Sequence, residues 1–152
     1  MISVRFLLDA NVISEMMRAA PEPRVAAVLD DIAAEGLGIA SITAWEILNG
    51  VSLLAPGRRR ADLADRFRGL LDDYFAERVI DWTLGDAASC ARIMERKRRG
   101  GEPLDDHLPD AMLAGLAANR DLVVVTRNES EFRNTGVTIL NPWTVAPSAA
   151  SR

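Results

Sequence analysis

Short apolar runs alternate with longer segments of helical period along this chain, and that alternation narrows its fold more than any other feature. Val4 to Leu8, Leu37 to Ala40, Arg78 to Trp82, Leu122 to Thr126 and Val137 to Leu140 read as strands. Between the first two, Val25, Val28, Leu29 and Ile32 recur at spacings of three and four behind Pro21 and Pro23, and predict a helix. Further helices are expected from about Ser41 or Thr43 to Leu54, stopped by Pro56-Gly57, and along Leu63, Phe67, Leu70, Leu71 and Phe75. Two more are expected from Leu84 to Arg99, closed by Gly100-Gly101, and from Pro109 to about Asn119. Parallel strands need crossovers, which are usually helical. The expected fold is therefore α/β, with a central parallel sheet of four to five short strands and helices on both faces. In such sheets ligands bind beyond the carboxyl ends of the strands.

A length of 152 residues suits one domain with its own core, here residues 1–143, followed by a Pro-, Ser- and Ala-rich tail at 144–152 that is expected to fray. The net charge of −4 argues against nucleic-acid binding through a bulk positive field and leaves local basic patches or a metal ion to do that work. One cysteine, Cys90, excludes an internal disulfide, and one histidine, His107, excludes the usual zinc sets. Any metal must be held by oxygen. No basic region precedes a long apolar stretch at the N-terminus, and no run approaches the roughly 18 residues of a membrane span, so a cytoplasmic location is expected.

Four positions carry the chemistry, and each also has a structural reading. Asp9 ends the first strand, where it could cap the following helix, and Asn11 beside it is a common turn residue. Thr43-Ala-Trp-Glu46 matches a capping box, yet it follows the second strand, so Glu46 could instead lean over the sheet end shared with Asp9. Asp110 follows Pro109 in the first turn of a helix, where the dipole favours a carboxylate. Asn128 ends the strongest strand, and Asn128-Glu-Ser-Glu131 again resembles a capping box. Taken together these positions converge on one cleft. Two carboxylates about 5 Å apart at an effective dielectric of 20 repel by on the order of 3 kcal/mol, which exceeds what a cap contributes. A divalent cation reverses that sign, and hard oxygen donors suit Mg²⁺ or Mn²⁺.

With these residues in place, the chain resembles the PIN-domain ribonucleases, and within them the VapC and FitB-like toxins of bacterial type II toxin–antitoxin pairs. The motifs are Leu7-Leu-Asp-Ala-Asn-Val-Ile-Ser14, Ser41-Ile-Thr-Ala-Trp-Glu-Ile-Leu-Asn-Gly50, Pro109-Asp-Ala-Met-Leu-Ala-Gly115, Val125-Thr-Arg-Asn128 and Asn141-Pro-Trp143, in the family's order and spacing. The resemblance implies that Asp9, Glu46 and Asp110 are the catalytic acids that bind the metal, with Asn11, Thr43 and Thr126 as polar support. The family often has a fourth acid where this chain has Asn128. Glu131, or a water held by Asn128, could stand in for it, or that ligand is absent. The implied chemistry is Mg²⁺-dependent phosphodiester hydrolysis, with Mn²⁺ as a substitute, leaving a 5′-phosphate and a 3′-hydroxyl. The implied partners are an RNA substrate, a second copy of the chain in a homodimer, and a small cognate antitoxin that blocks the acidic cleft and binds DNA itself. No membrane partner is implied.

Arg58-Arg-Arg60 begins a helix, where the dipole disfavours cations, so these arginines and Arg127 are candidates for contacting an RNA backbone. Arg96-Lys-Arg-Arg99 ends a helix, where cations are favoured, and reads as a solvated face, with an RNA-backbone contact as the other reading. Trp45 is expected in the core, with a dimer or antitoxin surface as the other reading. Trp82 and Trp143 read as core or edge packing, Cys90 as packing, and His107 as an exposed first-turn residue. Two other functions compete. A haloacid dehalogenase-type phosphatase also starts on a strand ending in an acid, but it normally has a second Asp where this chain has Asn11. A PIN-like domain that has lost catalysis and only binds RNA or protein would accommodate Asn128.

Overall fold

A computed structural model describes residues 3–102 and 108–145. Five parallel strands, β1 (Phe6–Leu8), β2 (Leu37–Ala40), β3 (Val79–Ile80), β4 (Val123–Val125) and β5 (Ile139–Leu140), form one sheet in the order β3-β2-β1-β4-β5. The chain starts in the middle, steps outward to β3, then crosses back to β4 on the other side of β1. The point where the winding reverses therefore lies between β1 and β4, whose last residues Leu8 and Val125 are in register.

Among the described residues six α-helices make the connections: α1 (Ala10–Met16), α2 (Pro23–Ile32), α3 (Ser41–Ser52), α4 (Arg58–Gly69), α5 (Leu84–Arg99) and α6 (Leu108–Arg120). The two directions of winding place them on opposite faces. Strand residues alternate between two cores as the period of two requires. Phe6, Leu8, Ile39 and Val125 pack against α1 to α4 through Ile13, Leu29, Ile47 and Phe67. Leu7, Ala40 and Val124 pack against α5 and α6 through Ile93, Leu113 and Leu116. On that second face Gly115 lies directly against Cys90, where an added Cβ would stand 2.6 Å from the Cys90 Cα, so the absent side chain sets the spacing of α5 and α6. Cys90 is buried packing, as its sequence context suggests.

Every predicted strand exists, but each except β2 is shorter than its apolar run, because only the paired centre keeps a ladder. The stripe from Leu63 to Phe75 does not continue as one α-helix; α4 ends at Gly69 and the chain closes through a wider turn at Leu70–Tyr74. Both sequence-predicted capping boxes fail to form. The helix α3 starts directly at Ser41 behind Ala40, three residues too early for Thr43 to be its cap. Asn128 precedes a single 3-10 turn, Glu129–Phe132, and caps it with no side-chain bond. Trp45 is not in the core; it is 56% exposed on α3. Trp82 and Trp143 are half-buried at the margins of the two cores. Among the described residues no helix is long and apolar enough to cross a membrane. His107, and the tail from 146 onward, lie outside the described residues.

Candidate active site

Asp9 follows the last residue of β1 at the point where the sheet reverses its winding, with its own N–H still in the ladder to the Val125 carbonyl. Its carboxylate is 2% exposed. Oδ1 accepts the Ala10 N–H at 2.8 Å, so Asp9 does cap α1. Oδ2 faces the neighbouring strand end: it accepts from the Thr126 hydroxyl at 2.8 Å and from Asn11 Nδ2 at 3.2 Å. Asn11 in turn accepts the Arg127 N–H at 3.1 Å, and Thr126 Oγ1 accepts the Asn128 N–H at 3.0 Å. One buried carboxylate thus ties the ends of β1 and β4 together. Burial raises its pKa, offset in part by the bonds from Thr126, Ala10 and Asn11. All three donors are neutral, and no lysine or arginine among the described residues pairs with Asp9.

Glu46 lies in the second turn of α3 and is half-buried, free of the capping role. Its pKa is pushed up to about 7, first by burial and then by the negative charges of Asp9 and Asp110. Asp110 reaches the same field from the first turn of α6. Acids carried by two other elements therefore act on Glu46. Among the described residues no three acidic, histidine or cysteine side chains draw close enough to enclose an ion by themselves. Such a set fits Mg²⁺, which keeps several waters and takes only one or two carboxylates. It does not fit a caged ion. Thr43, fully buried one turn before Glu46, has an Oγ1 with no hydrogen-bond partner, which a hydrating water would satisfy.

The remaining predicted residues divide. Asn128 is exposed; its backbone N–H donates to Thr126 Oγ1 and its carbonyl accepts the Glu131 N–H at 3.2 Å. Glu131 is half-buried on the following turn, and its carbonyl accepts from Lys97 Nζ at 3.1 Å. Lys97 departs from the solvated face expected for the basic run on α5: it is 6% exposed and also holds Glu102 at 3.1 Å. Sequence alone hides this because both partners lie beyond the helix end. Arg58 and Arg59 are exposed and Arg60 half-buried at the start of α4. Arg59 lines a groove of about 700 Å³ between α1, α3 and α4, with Glu46, Val51, Leu54 and Leu63 also in its walls. Arg127 is exposed and lies 4.9 Å above the Trp143 ring, a stacking that no local sequence signal announces.

An all-parallel sheet with buried and half-buried carboxylates beyond its strand ends defines an α/β domain with an acidic site at its switch point. The chain belongs to the PIN domain family, whose model matches residues 6–137. It is similar to toxin FitB of Neisseria gonorrhoeae, 34% identical over 137 residues that cover 90% of this chain and 97% of that protein. It is also similar to VapC ribonuclease Y4jK of Sinorhizobium fredii, at 32% identity over 90% of this chain and 96% of that one. Among solved structures, FitAcB from Neisseria gonorrhoeae matches with a TM-score of 0.81 and 33% identity, covering 92% of this chain and 99% of the other.

Proposed function

We propose that this chain is the toxin of a toxin–antitoxin pair and a Mg²⁺-dependent endoribonuclease, with Mn²⁺ able to substitute. The observation that carries the reading is a half-buried Glu46 within reach of the charges of Asp9 and Asp110; burial first, and then those two charges, push its pKa up to about 7. Similarity to a protein named VapC ribonuclease and to another named toxin FitB supports it. The haloacid dehalogenase alternative has no support from the family.

When bound, the cation would lower the pKa of a water and offset charge on the phosphate. The chain's own part is to present Asp9 and Asp110 as its ligands, with Glu46 beside them. Thr126 and Asn11 orient Asp9 from the adjacent strand end, so its carboxylate is fixed before substrate arrives. Glu46, poised near neutrality, is able to hold or release a proton at the water-bearing face of the site. Asn128 and Glu131 are the candidates for a fourth, water-mediated contact.

The partners follow from the same surface. A cognate antitoxin that lays an apolar segment along Val51, Leu54 and Leu63 would bring a basic side chain to Glu46 at the groove wall and shut the site. DNA would be reached only through that partner. A homodimer would cover Trp45 and Leu48, exposed apolar residues three apart on α3.

The test is cleavage of single-stranded RNA by partner-free protein, with Mg²⁺ or Mn²⁺ added after chelation. The wild type should cut only when metal is restored. Asp9→Asn should lower the rate by on the order of a hundredfold or more, since even changes behind a metal ligand cost about 10- to 100-fold. Equal cleavage by both proteins would show a contaminant and remove the assignment.

A further inference from the structure

Beside the carboxylates stands a built cationic and aromatic stack that catalysis does not use. Arg127 begins one residue past Thr126, and its backbone N–H is already fixed by Asn11 at 3.1 Å. Its guanidinium lies over the indole of Trp143 with 4.9 Å between the charge centre and the ring. Among the described residues that guanidinium makes no ion pair and no hydrogen bond, so its donors face outward unspent.

Trp143 is itself held. Its N–H donates to Asn141 Oδ1 at 3.0 Å, its carbonyl accepts Arg24 Nη1 at 2.9 Å, and its ring packs against the core on the α1 to α4 face. Some other surface arginines are tied to carboxylates, as Arg18 is to Glu15 and Arg99 to Glu95. Arg127 is tied to an aromatic face, which orders its plane while leaving its charge available. A guanidinium stacked on one side offers a flat second face to an unpaired base and edge donors to a phosphate. A chain of net charge −4 with an acidic site needs such a cation close to where a phosphodiester would sit.

We propose that Arg127, stacked on Trp143 and backed by Arg24, is the platform that takes an unpaired RNA nucleotide next to the scissile phosphate. This deepens the ribonuclease reading and rests on it. The platform demands a base free to leave its stack, so it selects single-stranded or looped RNA over duplex.

The test uses the full chain carrying Asp9→Asn, to prevent cleavage, and a fluorescent oligouridylate read by anisotropy. Arg127→Ala should weaken binding about tenfold. It should also lower the slope of log affinity against log salt by about 0.7, the value of one single-strand phosphate contact. Arg127→Lys should restore the slope but not the affinity, because it keeps the charge and loses the plane. Trp143→Leu should weaken binding while the salt slope stays. Thermal midpoints of the variants separate these effects from misfolding. Arg127→Ala that binds like its parent and, with Asp9 restored, cuts like the wild type overturns the platform alone. A wild type that neither cuts nor binds RNA removes the ribonuclease reading as well.

Discussion

At the scale of single residues, Asp9 performs a structural and a candidate chemical task with separate oxygens. Oδ1 caps α1 and Oδ2 takes the Thr126 hydroxyl. The cap was legible because it is local; Thr126 is 117 positions away and comes close only through the β1–β4 pairing. Thr126→Val should therefore leave the fold intact and lower RNA cleavage about 10- to 100-fold, measured as kcat at saturating metal. Glu46 offers a second test through its raised pKa. An acid whose folded pKa lies at about 7, against 4.5 when unfolded, costs the metal-free fold nothing below pH 4.5, and its stability is lost as pH rises through 7. Allowing for partial exposure, the penalty at pH 8 is roughly 1 to 2 kcal/mol. Glu46→Gln should raise stability to urea by that amount at pH 8 and leave it nearly unchanged at pH 4.

At the scale of elements, α5 shows what sequence can locate. Its bounds, Leu84–Arg99, coincide with the reading because both ends are set locally, by the Thr83 and Asp86 capping box and by Gly100-Gly101. Strand ends depend on pairing with segments distant in the chain, so β3 keeps only two residues of a five-residue run. Helix α3 begins at Ser41, one of its two expected starts, but the Thr43–Glu46 capping box misled: β2 runs straight into the helix, which spends Thr43 inside the first turn and frees Glu46. The helix α6 brings Asp110 to the site, and its far end is pinned by the buried Asp86. Burial alone would raise the pKa of that carboxyl, but bonds from Arg120, Asn119 and Thr83 outweigh burial and hold it at about 2. Midway, Gly115 sets the approach to Cys90. Gly115→Ala should destabilise the protein by about 1 to 3 kcal/mol, read from urea unfolding, and should reduce cleavage because Asp110 moves with the helix.

At the scale of the whole molecule, the fold class and the order of the motifs were legible in the sequence, since a parallel sheet wound from its centre gathers strand ends at one place. The Arg127–Trp143 stack, the burial of Lys97 and the exposure of Trp45 were not, because each depends on what lies opposite in space. The central claim is that these carboxylates form a cation site whose repulsion the metal relieves. Isothermal titration of Mn²⁺ into partner-free protein at pH 7, repeated in buffers of different ionisation enthalpy, tests it most directly. Binding should release about half a proton, because a Glu46 poised near 7 must ionise, and Asp9→Asn should abolish it. Absence of binding, or binding that survives Asp9→Asn with no proton release, would contradict the claim.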